Sequence, residues 1–232
     1  MSMTSTGDPS QQADFNFLRL VKRVLLWLGL ALVICCYVGL LLPVARSGLG
    51  STLDGSTLPW QLRRILAQLP TLFPLHMAAS ALALTVVPLA VFCRHWPRWH
   101  RPLGRIAAIC VLAGGFAALP VALFSVATWP ARLGFVAQAV VWLTLLILGL
   151  YNARIHNHKR HAWLMAGMVA LTVSPVLLRI LVQVVIAYRM HFAPAYAVIA
   201  WISWILPLTV TWLWLSRHHV LKTGSRNFEI RA

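Results

Sequence analysis

Acidic residues are almost absent from this sequence of 232 residues, which holds only Asp8, Asp14, Asp54 and Glu229. None of the four lies within an apolar run of the chain. Paired-carboxylate acid–base catalysis needs two such groups at one site, and a carboxylate proton relay needs them inside the membrane. The sequence therefore excludes both kinds of chemistry within its apolar segments.

Charged residues of either sign are also scarce, at 10% of the chain, whereas hydrophobic residues make up 60% and the mean hydropathy is +0.78. A soluble domain has about 25% charged residues. A chain as apolar as this one would expose continuous hydrophobic surface in water, which soluble proteins avoid. The composition thus predicts an integral membrane protein.

Sequence motifs for metal, redox and nucleotide chemistry are missing as well. The cysteines Cys35, Cys36, Cys93 and Cys110 follow no CxxC or zinc-type spacing, so we interpret them as small apolar packing residues. No GxxxxGK[ST] or GxGxxG sequence precedes a predicted helix, which leaves ATP-driven and dinucleotide chemistry without support. The first apolar stretch is longer than the roughly 7–15 residues of a signal-peptide core, so it is predicted to be a retained anchor.

Six apolar stretches are long enough to cross a membrane as helices, which takes about 20 residues each. We predict an all-α integral membrane protein, with a six-transmembrane-helix bundle in residues 21–218. A disordered tail is expected at residues 1–20, and a short basic tail at residues 219–232. The predicted spans are Val24–Leu42, Leu72–Cys93, Ile106–Thr128, Gly134–Tyr151, Ala162–Ala187 and Ala197–Ser216.

Lys and Arg are distributed unevenly between the two sides of these spans. Fourteen of the twenty lie in the terminal flanks and in the second-to-third and fourth-to-fifth connections, five lie on the opposite side, and Arg179 lies within a span. This is the positive-inside pattern, which predicts that both termini are cytoplasmic. The net charge of +16 is then explained by topology and by anionic lipids at the cytoplasmic face, and no nucleic-acid partner is expected.

A short helix is predicted in the first outer connection, Pro43–Pro70. Within it Leu62, Ile65, Leu66 and Leu69 form an apolar stripe on an otherwise polar segment. Such a helix suits the boundary between lipid and water. We therefore predict an interfacial helix on the outer leaflet, with a lid over a site as the alternative.

Arg179 is the most informative residue inside a span, because a charge at the centre of a membrane helix costs roughly 2.5–3.5 kcal/mol on insertion scales. Thr172, Pro175 and Gln183 share its helix face, and Pro175 leaves the carbonyl of Leu171 without its helical partner. We predict one polar stripe that points into the bundle or at a cavity. Arg179 either bonds freed carbonyls or reaches outward, or it binds an anionic or carbonyl group.

His76 lies one turn into the second predicted span, at a depth similar to that of Arg179, so these two residues form the best candidate pair near the outer side. One hydrogen bond satisfies a neutral imidazole, so a structural role is one interpretation of His76. The alternatives are a haem ligand, a metal ligand or a proton carrier.

Two histidine-rich stretches lie on the predicted inner side. In RHWPRWHRPLGR, residues 94–105, we expect Pro97 and Pro102 to stop helix on either side of the turn, and Gly104 to allow a close backbone approach. In NARIHNHKRHAW, residues 152–163, the HxHxxH spacing is typical either of a metal-binding tract or of a basic topology loop.

Three stretches, FPLHMAASALAL, RHWPRWHRPLGR and HAWLM with an Arg fourteen residues after its Met, together resemble the bacterial predicted membrane protein family of domain of unknown function 2306. The family pattern has a His that opens the second helix, a PxxHRxxGR loop, an HRxWM segment and an LR pair. The resemblance covers about Phe73 to Arg179, and the chain departs from HRxWM at Ala162 and Leu164. The matching positions are His76, Pro97, His100, Arg101, Gly104, Arg105, His161, Met165, Leu178 and Arg179.

This resemblance implies a multi-pass protein of the bacterial inner membrane and no agreed activity. Because they coincide with the family pattern, His76, His100, Arg101, His161 and Arg179 are the residues expected to bind a cofactor. The favoured hypothesis is a membrane redox or cofactor-binding protein that holds haem b or a metal through histidines on its helices. No catalytic residue is assigned.

Two other functions stay open. The prolines Pro88, Pro120, Pro175 and Pro207 interrupt four of the predicted spans, as in a transporter or in a protein that binds a lipid or a quinone. The scarcity of buried ionisable groups also fits an accessory or assembly protein without chemistry of its own. The partner would then be another membrane protein or a second copy of the chain.

Overall fold

A computed structural model describes the backbone of residues 60–229 and the side chains of residues 60–217. The predicted tail at residues 1–20 and the predicted first span, Val24–Leu42, lie outside the described residues. Within the described residues the chain is helical, without strands. Its helices are α1 (Trp60–Gln68), α2 (Leu72–Phe92), α3 (Pro97–Leu123), α4 (Trp129–Arg154), α5 (His158–Ala187) and α6 (Phe192–Glu229), with one 3₁₀ turn at Cys93–His95.

Five of these helices, α2 to α6, are long and apolar enough to cross a membrane. They confirm the five predicted spans that begin at Leu72 or later. The helices extend beyond the predicted spans where polar residues flank them: α3 begins at Pro97 and not at Ile106, and α5 begins at His158 and not at Ala162. The prediction followed apolar content, whereas a helix continues as long as its backbone hydrogen bonds are made.

The turn between α2 and α3 differs from its prediction. Only Trp96, with an extended backbone, separates the 3₁₀ turn from α3, and Pro97 occupies the first helical position. Pro102 lies inside α3 and does not end a helix, so that expectation was wrong. Gly104 was also expected to allow a close approach, but a Cβ there would meet nothing within 4 Å. A proline near the start of a long helix costs one backbone bond, which the remaining turns offset.

Consecutive spans run antiparallel, and each packs against the next one along the chain. The contacts between His76 and Gly114 and between His100 and Ala90 set the register of α2 against α3. In the same way, Trp142 meets Thr172 where α4 crosses α5. The next helix, α6, lies against both α4 and α5, and α2 also contacts α5. This arrangement places the start of α2, the end of α5 and the start of α6 at the same end of the bundle.

Small residues allow the helices to approach closely. Gly114 and Gly115 of α3 are buried, and a Cβ at Gly114 would lie 3.0 Å from Ser80 Oγ on α2. On α5, Gly167 faces the indole nitrogen of Trp212, whose ring stacks on Trp163 with centroids 4.7 Å apart. Close backbone contact is a main source of helix association in lipid, where no hydrophobic driving force remains.

The short helix α1 confirms the predicted helical segment in the first outer connection. Its apolar stripe does not face lipid alone, because Ile65 is buried against Phe73 of α2. Met77 and Val121 pack against the same pair. The stripe therefore fixes α1 to the ends of α2 and α3.

The contact between α2 and α3 can be tested with one pair of glycine substitutions. Gly114→Leu should lower the free energy of unfolding by about 1–3 kcal/mol, because the new side chain must displace Ser80. Gly104→Leu is the matched control, since it has open space and leucine favours helix more than glycine does. Unfolding in mixed detergent micelles, followed by circular dichroism, measures both. Equal stability of the two variants would contradict the close contact.

Candidate functional site

Polar side chains from three helices meet in one half of the bundle, at the end where α2 and α6 begin. We call this group the Arg179 cluster and define it as His76 and Ser80 on α2, Arg179 on α5 and Tyr196 on α6. Arg179 lies near enough to His76 and to Tyr196 for its positive charge to act on either side chain. The structure thus brings together the two residues that the sequence suggested as a pair, and it adds two more.

His76 is held by the neighbouring helix. Its Nδ1 lies 2.9 Å from the carbonyl oxygen of Gly114, and Ser80 Oγ lies 3.4 Å from the same nitrogen. A carbonyl only accepts, so Nδ1 carries the proton and donates it. In the neutral ring this leaves a lone pair on Nε2, which is an acceptor. No hydrogen bond to Nε2 is present among the described residues.

Arg179 is half-buried, and its Nη1 donates to the carbonyl of Pro175, 3.0 Å away on the same helix. The carbonyl of Leu171, which Pro175 deprives of its helical partner, accepts instead from Ser174 Oγ at 2.8 Å. The expectation that Arg179 could bond a freed carbonyl is therefore wrong. The bond to Pro175 uses one of the five N–H donors of the guanidinium group.

The charge of Arg179 has no acidic counterpart in the described spans. The acidic residues of the chain are Asp8, Asp14, Asp54 and Glu229, and the first three precede the described residues. Glu229 is the last residue of α6, far along the chain from the cluster at its beginning. A charged side chain within a membrane is almost always paired, since unpaired burial is costly.

Aromatic side chains border the cluster where α6 begins. Tyr196 stacks on Phe192, with ring centroids 5.2 Å apart and an angle of 17° between the rings. Phe135 of α4 also packs against Tyr196, with ring centroids 5.8 Å apart and the rings tilted by 56°. Phe192 is exposed to the surroundings of the bundle, whereas Tyr196 is half-buried. The cluster therefore combines polar side chains with aromatic side chains on its α6 side.

The polar stripe predicted on α5 is not a single surface. Thr172 is buried and accepts from the indole N–H of Trp142 at 2.9 Å, so it belongs to the contact between α4 and α5. Ser174 similarly accepts from Gln138 at 2.6 Å. Gln183, at the other end of the stripe, is exposed. Only the Arg179 portion contributes to the cluster.

The other two candidate histidines, His100 and His161, form two equivalent structural contacts and do not form a shared site with His76. His100 is the fourth residue of α3, and its Nδ1 donates to the carbonyl of Ala90 on α2 at 2.8 Å. His161 is the fourth residue of α5, and its Nδ1 donates to the carbonyl of Gly149 on α4 at 2.9 Å. Each histidine therefore fastens its helix to the preceding one. We call these two bonds the histidine tethers.

Two inner-side expectations gain no support. Arg101 is exposed next to His100, and no contact of its side chain is present among the described residues. In the HxHxxH stretch, the rings of His156 and His158 meet edge to face, while His161 turns towards Gly149. No group of three His, Cys, Asp or Glu in the described part of the chain could hold a metal ion.

Sequence reasoning missed Tyr196 and the tethers. Tyr196 is separated from Arg179 by a turn and carries no motif, so only the packing of α6 on α5 reveals it. The tethers had a weak signal, because His100 and His161 occupy the same position after the start of their helices. The helix starts themselves were misplaced, so this equivalence was hidden.

The family comparison places the chain among membrane proteins. The model of the family described as "Predicted membrane protein (DUF2306)" matches residues 73–215, which is more than half of the chain, and the protein belongs to this family. The match confirms the resemblance and extends it past Arg179 through Tyr196 and most of α6. No curated protein and no solved structure matches the chain significantly.

The histidine tethers make a measurable contribution to stability. His100→Leu and His161→Leu should each lower the free energy of unfolding by about 1 kcal/mol, the usual net value of one hydrogen bond. His158→Leu is the control, since it lies in the same turn as His161, is exposed and makes no tether. Unfolding in mixed micelles compares the three. A loss for His158→Leu as large as for the others would contradict the assignment.

Proposed function

We propose that this protein binds a lipid-soluble ligand at the Arg179 cluster, and that the ligand presents an oxygen acceptor to the guanidinium group. The observation that carries the proposal is the position of Arg179. It is a cation within a span, it contacts a backbone carbonyl of its own helix, and the described spans hold no carboxylate to pair with it.

The chemistry of the guanidinium group limits the ligand. The planar N–H donors of Arg179 suit a carbonyl, carboxylate or phosphate oxygen, and a charged donor makes a hydrogen bond about twice as strong as a neutral one. A site within the membrane favours a molecule that reaches it through lipid. An anionic lipid head group and a quinone carbonyl share this acceptor chemistry. Exposed Phe192 borders the cluster at the bundle surface, where such a molecule would arrive.

A second candidate is the haem b protein favoured by the sequence. Its support is the hydrogen bond of His76, because a histidine that ligates a metal usually donates its other ring N–H to a carbonyl or carboxylate. His76 would then hold the iron through Nε2, and Arg179 would pair with a propionate. When bound, haem b supplies one-electron transfer. The Arg179 cluster itself would contribute one histidine to such a site.

We also propose the finer topology that the sequence suggests. The protein would lie in the bacterial inner membrane with six spans and both termini in the cytoplasm, and its basic inner turns would contact anionic lipids. The Arg179 cluster would then lie in the outer leaflet. Lys159 and Arg160 lie in the first turn of α5 and are exposed there. Their position supports a contact with lipid head groups.

Cysteine labelling tests the topology. In a cysteine-free background, Thr128→Cys should react with a membrane-impermeant maleimide in intact spheroplasts, because it lies in the turn between α3 and α4. Lys159→Cys and Ser2→Cys should react only after permeabilisation. Labelling of Ser2→Cys and Thr128→Cys from the same side would contradict a span before α2.

Ligand retention tests the binding proposal. The full chain is purified in mild detergent, its bound lipids are identified by mass spectrometry, and its visible spectrum is recorded. Wild-type protein should retain an amphiphile with an oxygen acceptor, and Arg179→Ala should retain about tenfold less, because a hydrogen bond to a charged group contributes roughly 1.5–3 kcal/mol.

Arg64→Ala is the matched control, since it removes one exposed cation from α1 and leaves the cluster intact. Equal retention in Arg179→Ala and Arg64→Ala would refute the proposal. A Soret band that is lost in His76→Leu would select haem b over the other ligands. A colourless protein without a bound amphiphile would exclude both candidates.

A further inference from the structure

Arg179 and His76 need hydrogen-bonding partners of opposite kinds in a ligand. Arg179 only donates, so its ligand atom must be an acceptor. His76 offers an acceptor instead. Its Nδ1–H donates to the carbonyl of Gly114, so its Nε2 carries a lone pair and needs a donor from the ligand. A ligand that satisfies both residues must carry a donor and an acceptor close together.

A hydroxyl group meets this requirement with a single oxygen atom. Its O–H can donate to His76 Nε2, while its oxygen accepts from Arg179. A ketone, an ester carbonyl or a fully ionised phosphate satisfies Arg179 but offers no donor to His76. A buried acceptor left without a donor costs free energy, so the cluster discriminates against ligands of this second kind.

The aromatic border narrows the ligand further. Phe192 and Tyr196 stack nearly parallel with centroids 5.2 Å apart, and Phe192 leaves much of its surface exposed. A flat ring can continue this stack, since offset stacking is a favoured arrangement of aromatic groups. The hydroxyl that suits His76 and Arg179 is then carried on an aromatic ring.

We infer that the ligand of the Arg179 cluster is a lipid-soluble hydroquinone, bound in preference to the corresponding quinone. This inference rests on the proposed function, since it assumes that the cluster binds a ligand through Arg179. It adds His76 as the residue that distinguishes the reduced form from the oxidised form. The Gly114 carbonyl is the positioning group, because it holds the proton on Nδ1.

The test compares ligands on the unmodified full chain. Decylubiquinol, decylubiquinone and the dimethyl ether of decylubiquinol are titrated into the protein under anaerobic conditions by isothermal calorimetry. Phosphatidylglycerol is used as a competitor. The quinol should bind at least tenfold more tightly than the quinone and the dimethyl ether, since neither of the last two can donate to His76.

Two matched variants test whether His76 causes the preference for quinol over quinone. His76→Phe keeps a ring but removes the acceptor, so it should bind quinol and quinone equally. His100→Phe removes the equivalent bond at a histidine tether and should keep the preference. If His76→Phe does not fold, the comparison of quinol with its dimethyl ether on the wild-type protein still decides the inference.

The outcomes separate this inference from the proposed function. Equal affinity for quinol and quinone, with both lost in Arg179→Ala, would overturn the inference and leave the proposed function in place. Displacement by phosphatidylglycerol without a quinol preference would do the same and assign the site to a lipid head group. Failure of every probe to bind would overturn both.

Discussion

The hydrogen bond between His76 and the carbonyl of Gly114 depends on glycine, the residue without a side chain, at position 114. Because residue 114 has no Cβ, α2 and α3 approach until Ser80 meets the backbone of α3, and the carbonyl comes within 2.9 Å of the imidazole. The bond then fixes which ring nitrogen carries the proton. Packing between two helices thereby sets which ring nitrogen of a side chain near Arg179 can accept a hydrogen bond.

The membrane explains why the same bond type recurs. A helix in lipid satisfies its own backbone, so a side-chain donor such as histidine can still share a carbonyl with the helical N–H. His100 and His161 use this near the starts of α3 and α5, and His76 uses it near the start of α2. Polar side chains thus join helices whose surfaces are otherwise apolar.

Much of the fold follows from the sequence, because span length and hydropathy are dictated by the bilayer. The five described spans and the helix at Trp60 were predicted in this way. The helix starts at Pro97 and His158 were not, since polar residues in a helix end carry no hydropathy signal. The link between His76 and Arg179 was suggested by their depth alone, whereas Tyr196 depends on how α6 packs, which no local pattern encodes.

The two histidine tethers join helices that are consecutive in the chain, whereas the Arg179 cluster takes its members from α2, α5 and α6. During synthesis, each tethered hairpin can close as soon as its second helix enters the bilayer. The cluster is complete only after α6 has inserted and docked on α5. A ligand that fits there consequently recognises a chain in which α2, α5 and α6 are already packed together.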